Sequence, residues 1–235
     1  IGTYADNGHT LTALLDKLDS LSNLARVRVS SIEPTTIDDA IFSRLAHTTK
    51  TKLCRYAHIP LQSGCDATLK RMRRKYTLAD YHAQINKIIA WCPEACIGTD
   101  IIVGFPGETD DEFETTYATI AALPLAYCHV FSYSVRSLAK SQTLPNPVDP
   151  ITIQSRSKRL RALSAKKTEA YAKTFLGQSE TVLLEQPKTY NSIPGWVGHT
   201  DTFLTVWIPG TAHSRHDLVS VTLQTYDCST QRLIG

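Results

Sequence analysis

The chain has 235 residues, a formal net charge of +3 and a pI of about 8.5. Hydrophobic residues make up 42% and charged residues 20%, as in an ordinary globular protein, and no apolar run approaches the roughly 20 residues that span a bilayer. A membrane-spanning protein is therefore excluded, and the weak positive charge is compatible with an RNA partner. A complete eight-stranded α/β barrel needs about 250 residues, so we expect one large unit followed by a small one.

The first third of the chain alternates predicted helices and strands. Leucines at helical spacing predict an amphipathic helix over residues 10–22, and residues 27–34 alternate into a strand that Pro34 ends. Helical spacing resumes over residues 37–46. A further strand over residues 56–64 is followed by a short helix, a basic segment and a long helix from Leu78 to Trp91.

The next stretch predicts a buried strand from Ile97 that is followed at once by a helix ending near Leu123. A turn with two glycines and a proline lies over residues 104–107, and Thr109 is a good N-cap for the helix. In parallel α/β folds the loop after such a strand carries the site. We interpret the glycines as bare backbone that a flat ligand approaches and Glu108 as its acceptor; a turn that is merely tightened is the alternative.

Another strand is predicted over residues 127–134, followed by a proline-containing loop to Pro150 and a charged helix over residues 153–175. Such alternation indicates a parallel sheet. After Gly177, short alternating runs separated by Gly and Pro predict a small antiparallel β-barrel or sandwich. We divide the chain into a partial α/β barrel (1–150), a charged connecting helix (151–176) and a β domain (177–235).

Polar residues gather where the predicted strands end. Because parallel strands end at one rim, these side chains should face one cavity and form a candidate site. His58 we interpret as a hydrogen-bonded core histidine, whereas Glu33 has little structural reason to precede a proline. The polar residues at this rim are Glu33, Gln62, Ser63, Asp100, Glu108, Tyr133, Ser134 and Arg136.

Two basic faces are candidate RNA-binding surfaces. The run from Lys70 to Tyr76 combines five positive charges with an aromatic ring; phosphates attract such clusters, and rings stack on bases. A solvated helix end is the alternative. The later charged helix adds the second face. The residues assigned to RNA are Arg71, Arg73, Arg74, Lys75, Lys158 and Arg159.

Six cysteines, with no basic segment at the start that would indicate a signal peptide, predict reduced thiols in a cytoplasmic protein. Cys92 and Cys96 have the C-x-x-x-C spacing that begins some iron-sulfur ligand runs. Thr99 stands where a third cysteine is due, so we interpret the pair as inert and predict no metal site in the chain.

Four segments occur in the order seen in the radical S-adenosylmethionine (SAM) tRNA methylthiotransferases, which the chain resembles. They are S-I-E-P at 31–34, H-I-P-L-Q-S-G at 58–64, T-D-I-I-V-G-F-P-G-E-T at 99–109 and F-S-Y-S-V-R at 131–136. The first segment looks most like the branch that acts on N6-threonylcarbamoyl-adenosine next to the anticodon. The β domain, with G-W-V-G-H-T at 195–200, resembles the RNA-binding TRAM domain of the same enzymes.

The resemblance implies an open TIM-type barrel that binds SAM, a 4Fe-4S cluster on a C-x-x-x-C-x-x-C loop, and a radical reaction at C2 of the adenine. That loop and an N-terminal domain would precede Ile1, so we expect a fragment that is inactive by itself. A tRNA anticodon stem-loop is the implied partner, and we expect a monomer without membrane contact. The residues that the resemblance places against SAM are Glu33, Gln62, Ser63, Asp100, Gly104, Phe105, Pro106, Gly107, Glu108 and Tyr133.

Two alternatives stay open at the level of sequence. One is a radical SAM methylthiotransferase that acts on a ribosomal protein side chain. The other is an RNA-binding module without a catalytic role, because the sequence contains no complete set of cluster ligands.

Overall fold

The structure is a computed structural model that describes residues 2–6, 8–135 and 139–235, and the predicted site residue Arg136 lies outside them. The α-helices are α1 (Leu11–Ser20), α2 (Asp39–Phe42), α3 (Asp66–Arg71), α4 (Leu78–Trp91), α5 (Asp110–Ala122) and α6 (Pro150–Lys173). The strands are β1 (Ala5–Asp6), β2 (His9–Thr10), β3 (Tyr56–His58), β4 (Cys96–Val103), β5 (Tyr127–Ser132), β6 (Ser179–Pro187), β7 (Gly195–His199), β8 (Thr205–Pro209), β9 (Leu218–Thr222), β10 (Thr225–Asp227) and β11 (Arg232–Ile234). Short 3-10 helices occupy Pro34–Thr36, Ser43–His47 and Lys140–Thr143.

Strands β3, β4 and β5 form a parallel sheet in that order. One face of the sheet is covered by helices: Tyr81 and Ile88 of α4 and Leu160 of α6 are fully buried in the same core as Ile97 and Ile101 of β4. The other face looks into the open interior of the barrel. The predicted partial α/β barrel is therefore confirmed.

The segment before this sheet departs from the prediction. Residues 27–32 stay extended beside β3 but form only isolated contacts, such as the bridge from Val27 to Leu53 and the hydrogen bond from the Ile32 N–H to the His58 oxygen. The predicted helix over residues 37–46 is broken into 3-10 turns and the four-residue α2. Asp38 caps α2 through the Ala40 N–H, so the α-helix begins at Asp39 and not at Ile37.

The central strand, turn and helix form as predicted. The Thr109 hydroxyl accepts from the Glu112 N–H and the Glu112 carboxylate accepts from the Thr109 N–H, which is a capping box at the start of α5. Thr77 and Asp80 cap α4 in the same way. Both helices begin where their caps are placed in the sequence.

Helix α6 belongs to both units. Its middle turns pack on the barrel, where Ser164 Oγ accepts from the Cys128 N–H and donates to the Cys128 backbone oxygen at 2.9 and 2.8 Å. Its end reaches the β domain, whose core includes Ala172 and, just past the helix, Phe175. Among the described residues no helix, α6 included, is long and apolar enough to cross a membrane.

The β domain is a six-stranded sheet in the order β10-β11-β8-β7-β6-β9, antiparallel except where β11 runs parallel to β8. Its two edge strands, β9 and β10, are consecutive in the chain and are joined by only Leu223 and Gln224. The edges must therefore lie close together, and the sheet curls toward a barrel around a core that includes Val182, Leu184 and Val206.

The β domain covers the amino ends of the barrel strands. Arg55, just before β3, bonds to Glu94 at 2.5 Å and, in the β domain, to Glu180 and Asp201, each at 2.8 Å. Arg26 donates to the Thr181 oxygen at 2.7 Å. One cation thus joins three carboxylates across the junction of the two units.

An aromatic side chain closes the same end. Phe203 stands in a turn with a φ of +64° and places its ring 5.2 Å from the Tyr56 ring. The Arg28 guanidinium lies over both rings, and its Nη2 donates to the Thr200 oxygen at 3.0 Å. The base of the barrel is therefore packed and hydrogen-bonded to the β domain.

Candidate functional site

A cleft of about 420 Å³ opens at the carboxyl ends of β4 and β5. This volume lies within the range of small-ligand sites. Five predicted site residues lie together here: Gln62, Asp100, Phe105, Tyr133 and Ser134. The rest of the lining, which the sequence did not indicate, consists of Ile102, Phe131, Ser132 and Ser141.

Gln62 has an unusual backbone conformation for its place in the cleft. Its φ is +74°, in the left-handed region that residues with a Cβ rarely adopt. The Gln62 backbone N–H donates to the backbone oxygen of Asp100 at 2.8 Å, and the Gln62 backbone oxygen accepts from the Ile102 N–H at 2.9 Å. These bonds hold the strained conformation while the residue lines the cleft, a pattern typical of functional positions.

Phe105 and Tyr133 form an aromatic wall. Their ring centroids lie 5.5 Å apart in an edge-to-face arrangement. The Tyr133 N–H donates to the Val103 oxygen at 2.8 Å and its hydroxyl donates to Ser141 Oγ at 3.0 Å. A rigid wall of this kind suits a flat ring such as adenine.

The turn over residues 104–108 is held from the side away from the cleft. The Glu108 carboxylate accepts from the Gly104 N–H and from Arg156 of α6, both at 2.8 Å, and its side chain is 1% exposed. Burial raises the pKa of Glu108, while the Gly104 N–H and the Arg156 charge act in the opposite direction. The carboxylate expected to receive a ligand is thus engaged within the chain.

The two glycines of the turn also have structural partners. A Cβ on Gly104 would stand 2.3 Å from Cγ1 of Ile153 in α6, and one on Gly107 would stand 3.3 Å from Nε of Arg71. Both residues have a φ near +80°. Because Gly104 has no side chain, α6 can pack closely against the turn. The sequence could not show this contact, because α6 lies far along the chain.

The remaining predicted residues lie around the cleft without lining it. Ser63 is fully buried and its hydroxyl lies 3.2 Å from Thr116 Oγ1, and Pro106 is buried as well. Glu33 pairs with Arg74 at 2.9 Å on the rim. A ligand contact from these residues stays a prediction.

Deeper in the barrel, three side chains from adjacent strands meet: His58, Asp100 and His129, here called the inner polar cluster. His58 is 8% exposed, with its Nδ1 3.0 Å from the Tyr127 hydroxyl and its Nε2 3.1 Å from Asp100 Oδ1. The interpretation of His58 as a hydrogen-bonded core residue is confirmed. Only strand pairing, which sets Asp100 beside His129, could have revealed the cluster.

Potential metal ligands converge at one place in the described part of the chain. The ligand atoms of the inner polar cluster lie within 4.8 Å of one another, and no other set of three His, Cys, Asp or Glu residues there does so. Cys92 and Cys96 are buried, and burial raises the pKa of the Cys92 thiol and brings that of Cys96 to about 12. Thiolates ligate iron, so the described residues do not fit a 4Fe-4S cluster, whereas the size, aromatic wall and amide of the cleft fit SAM.

The predicted RNA-binding residues divide into two groups. Arg71 pairs with Glu112 and Arg159 with Glu114, as Arg74 does with Glu33. The other three predicted residues, Arg73, Lys75 and Lys158, are exposed and have no ion-pair partner within residues 2–6, 8–135 and 139–235.

Tyr76, the aromatic residue of the basic run, does not face solvent. It is buried, and its hydroxyl donates to the backbone oxygens of Pro60 and Leu61 at 3.2 and 2.9 Å. The expectation that its ring stacks on a base is wrong, because the ring packs in the core under the rim.

Comparison with known proteins agrees with this architecture. Residues 3–120 match the Radical SAM superfamily. The chain is 34% identical over 224 residues to the threonylcarbamoyladenosine tRNA methylthiotransferase MtaB of Bacillus subtilis, covering 94% of this chain and 49% of that protein. It is 32% identical over 235 residues to the tRNA-2-methylthio-N(6)-dimethylallyladenosine synthase of Desulfitobacterium hafniense, covering 100% of this chain and 51% of that protein.

Among solved structures, the coproporphyrinogen III oxidase HemN of Escherichia coli, described as a Radical SAM enzyme, shares the fold with a TM-score of 0.53 and 12% identity. The superposition covers 81% of this chain and 51% of that structure. The chain spans about half the length of the curated relatives it matches. The chain therefore belongs to the Radical SAM superfamily, and the resemblance to its tRNA methylthiotransferases is confirmed.

Proposed function

We propose that this chain is the SAM-binding and RNA-binding part of a tRNA methylthiotransferase that acts at C2 of N6-threonylcarbamoyl-adenosine next to the anticodon. The observation that carries the proposal is the match to MtaB of Bacillus subtilis over 94% of the chain, since it includes the barrel and the β domain. The S-I-E-P segment supports this branch of the family. We further propose a monomer in the cytoplasm.

Within this proposal the cleft binds and orients SAM. The Tyr133 ring, held edge-to-face against Phe105, provides an apolar surface for the adenine, and the Gln62 amide supplies hydrogen bonds. The Glu108–Arg156 pair fixes the adjoining turn, so the wall does not rearrange when the ligand enters. When bound, SAM supplies radical chemistry, which is needed because acid-base groups of ordinary pKa cannot open an aromatic C–H bond.

The RNA contact in this proposal comes from exposed cations on the rim and from the β domain. Arg73 and Lys75 lie beside the rim, on the segment that also carries the Glu33–Arg74 pair, and Lys158 stands exposed on α6. Their charge would hold the phosphates of an anticodon stem-loop over the cleft. Arg71, Arg74 and Arg159 must first leave carboxylate partners, so we expect them to contribute less.

Nucleoside analysis of tRNA tests the function. We expect deletion of the gene encoding the chain to remove 2-methylthio-N6-threonylcarbamoyl-adenosine from digested tRNA while its unmethylthiolated precursor accumulates, as measured by tandem mass spectrometry. The gene should restore the product, and the same gene with Gln62→Ala should restore much less. Unchanged levels of the methylthio product in the deletion strain would contradict the proposal.

A second candidate is methylthiolation of N6-dimethylallyl-adenosine. It is favoured by the match to the Desulfitobacterium hafniense protein over 100% of the chain. The same mass spectra decide between the two candidates, because the two methylthio nucleosides differ in mass.

A further inference from the structure

We propose that Asp100 and His129 form a subsite for a polar, carboxylate-bearing substituent on N6 of the target adenosine. The inference rests on the proposed function, since it assumes that a modified adenosine enters the cleft. It adds how the barrel distinguishes a threonylcarbamoyl group, which carries N–H groups, a hydroxyl and a carboxylate, from an apolar dimethylallyl group.

The register of the strands places the two side chains together. Asp100 of β4 is the direct partner of His129 of β5, and His58 of β3 is the partner of Gly98. A Cβ on Gly98 would stand 2.2 Å from the Tyr127 ring. Because Gly98 has no side chain, the Tyr127 side chain reaches across β4 and contacts His58. His129 is left on the open side of the sheet.

Some atoms of the inner polar cluster have hydrogen-bond partners in the described part of the chain, and others there have none. Both ring nitrogens of His58 have partners, Tyr127 and Asp100. His129 is exposed, and within residues 2–6, 8–135 and 139–235 neither its ring nitrogens nor Asp100 Oδ2 has a hydrogen-bond partner. A metal ion would have to displace the His58 bonds, whereas an organic ligand can use the free atoms, so we favour the organic ligand.

The free atoms adjoin the cleft. Asp100 lines the cleft, and the His129 ring lies 6.5 Å from the ring of Phe131, which also lines it and is 53% exposed. His129 and Phe131 are two residues apart on β5 and so face the same side. An adenine resting on Phe131 therefore has its N6 substituent within reach of the inner polar cluster.

The chemistry of the free atoms matches only one of the two substituents. A carboxylate oxygen at Asp100 accepts from urea N–H or hydroxyl groups, and a His129 N–H donates to a carboxylate. A dimethylallyl group would cover Asp100 Oδ2 without offering it a donor, and an unpaired buried polar group opposes binding. The subsite therefore selects the polar nucleoside by pairing and rejects the apolar one by desolvation.

Binding of three anticodon stem-loops of one sequence to the 235-residue chain tests the subsite. The loops carry unmodified adenosine, N6-threonylcarbamoyl-adenosine or N6-dimethylallyl-adenosine, and affinity is measured by fluorescence anisotropy. We expect the threonylcarbamoyl loop to bind about tenfold more tightly than the other two, the size of one charged hydrogen bond. His129→Leu should reduce the preference for the threonylcarbamoyl loop severalfold, because the donor to its carboxylate is lost while Asp100 remains, and His47→Ala, which removes an exposed histidine outside the cleft, should change nothing.

A second measurement separates this inference from the proposed function. The His129 ring signals are followed by NMR during titration with the free nucleoside N6-threonylcarbamoyl-adenosine, with adenosine and with S-adenosylhomocysteine. A shift with the first ligand alone supports the subsite even if no stem-loop binds, in which case RNA binding by this chain is refuted. Equal affinities for the three loops together with no nucleoside-specific shift refute the subsite, and a shift with S-adenosylhomocysteine assigns these residues to the cofactor and refutes it as well.

Discussion

The two ends of the barrel strands use their charged and aromatic side chains in different ways. At the amino end, Arg55 is shared among three carboxylates, Arg26 and Arg28 hold backbone oxygens of the β domain, and Phe203 packs on Tyr56. At the carboxyl end, cations such as Arg73 and the ring of Phe131 face solvent.

This contrast separates residues that hold the two units together from residues that are available for binding. A buried cation that meets its carboxylates stabilises the junction of two units and has little capacity left for a ligand. An exposed ring or cation beside a cleft contributes little to the stability of the fold and is available for binding. Four predictions, in order of decreasing effect, test this division.

Arg55→Ala should have the largest effect on stability. The substitution leaves the carboxylates of Glu180 and Asp201 at the junction without their cation. Breaking partly buried ion pairs of this kind lowers the free energy of unfolding by about 3–5 kcal/mol. Urea unfolding monitored by circular dichroism measures the loss. Arg215→Ala, which removes an exposed arginine of the β domain, is the matched control and should change the free energy of unfolding by less than about 0.5 kcal/mol.

The stability of Arg55→Ala should depend on pH more strongly than that of the protein with Arg55. Burial would raise the pKa of Asp201, but Arg55 outweighs it and the pKa lies below its usual value, so this stability is lost only as pH falls below about 4. Burial already raises the pKa of Glu180 even with Arg55 present. Without Arg55 both folded pKa values should exceed the unfolded ones, so the deficit of Arg55→Ala should shrink as pH falls from about 7 to 5. A deficit that grows over this interval would show that the junction does not depend on these charges.

Gly104→Ala should have the next effect. The new Cβ would stand 2.3 Å from Ile153, and alanine is strained at a φ of +79°, which together predict a loss of about 2–4 kcal/mol. Gly177→Ala is the matched control, because its φ is +81° and nothing lies within 4 Å, so only about 1 kcal/mol of strain is expected. A double-mutant cycle with Ile153→Ala should recover the part of the loss that comes from the contact with Ile153. Equal losses for Gly104→Ala and Gly177→Ala would mean that α6 does not pack closely against the turn.

The double variant Arg73→Ala, Lys75→Ala should leave stability unchanged and weaken RNA binding. Two lost phosphate contacts should reduce the slope of log affinity against log salt by about two. Lys87→Ala is the control: it removes a cation of α4 that is paired with Asp39 of α2, and it should leave the slope as it is. If Arg71→Ala, which removes a cation paired with Glu112, lowers the slope as much as the double variant does, ion pairing does not separate the two kinds of cation.

Much of the fold was predictable from local chemistry. The caps at Thr77 and Thr109 and the apolar spacing behind them define α4 and α5, because a capping box and an amphipathic face are short-range signals. The segment over residues 37–46 was not predictable in the same way. Its apolar spacing is helical, but it is divided between α2 and 3-10 turns that pack against α1 and α4.

Local sequence is enough to predict most of the order of strands and helices, the change to a β domain after α6 and the residues that end each parallel strand, since these depend on neighbours within a few positions. Which of those residues face the cleft depends instead on contacts between distant parts of the chain. Glu108 is turned away by Arg156, which is 48 residues later, and Ile153 occupies the space beside Gly104. His129 joins Asp100 through strand register. Such partners are distant in sequence, and packing alone brings them together.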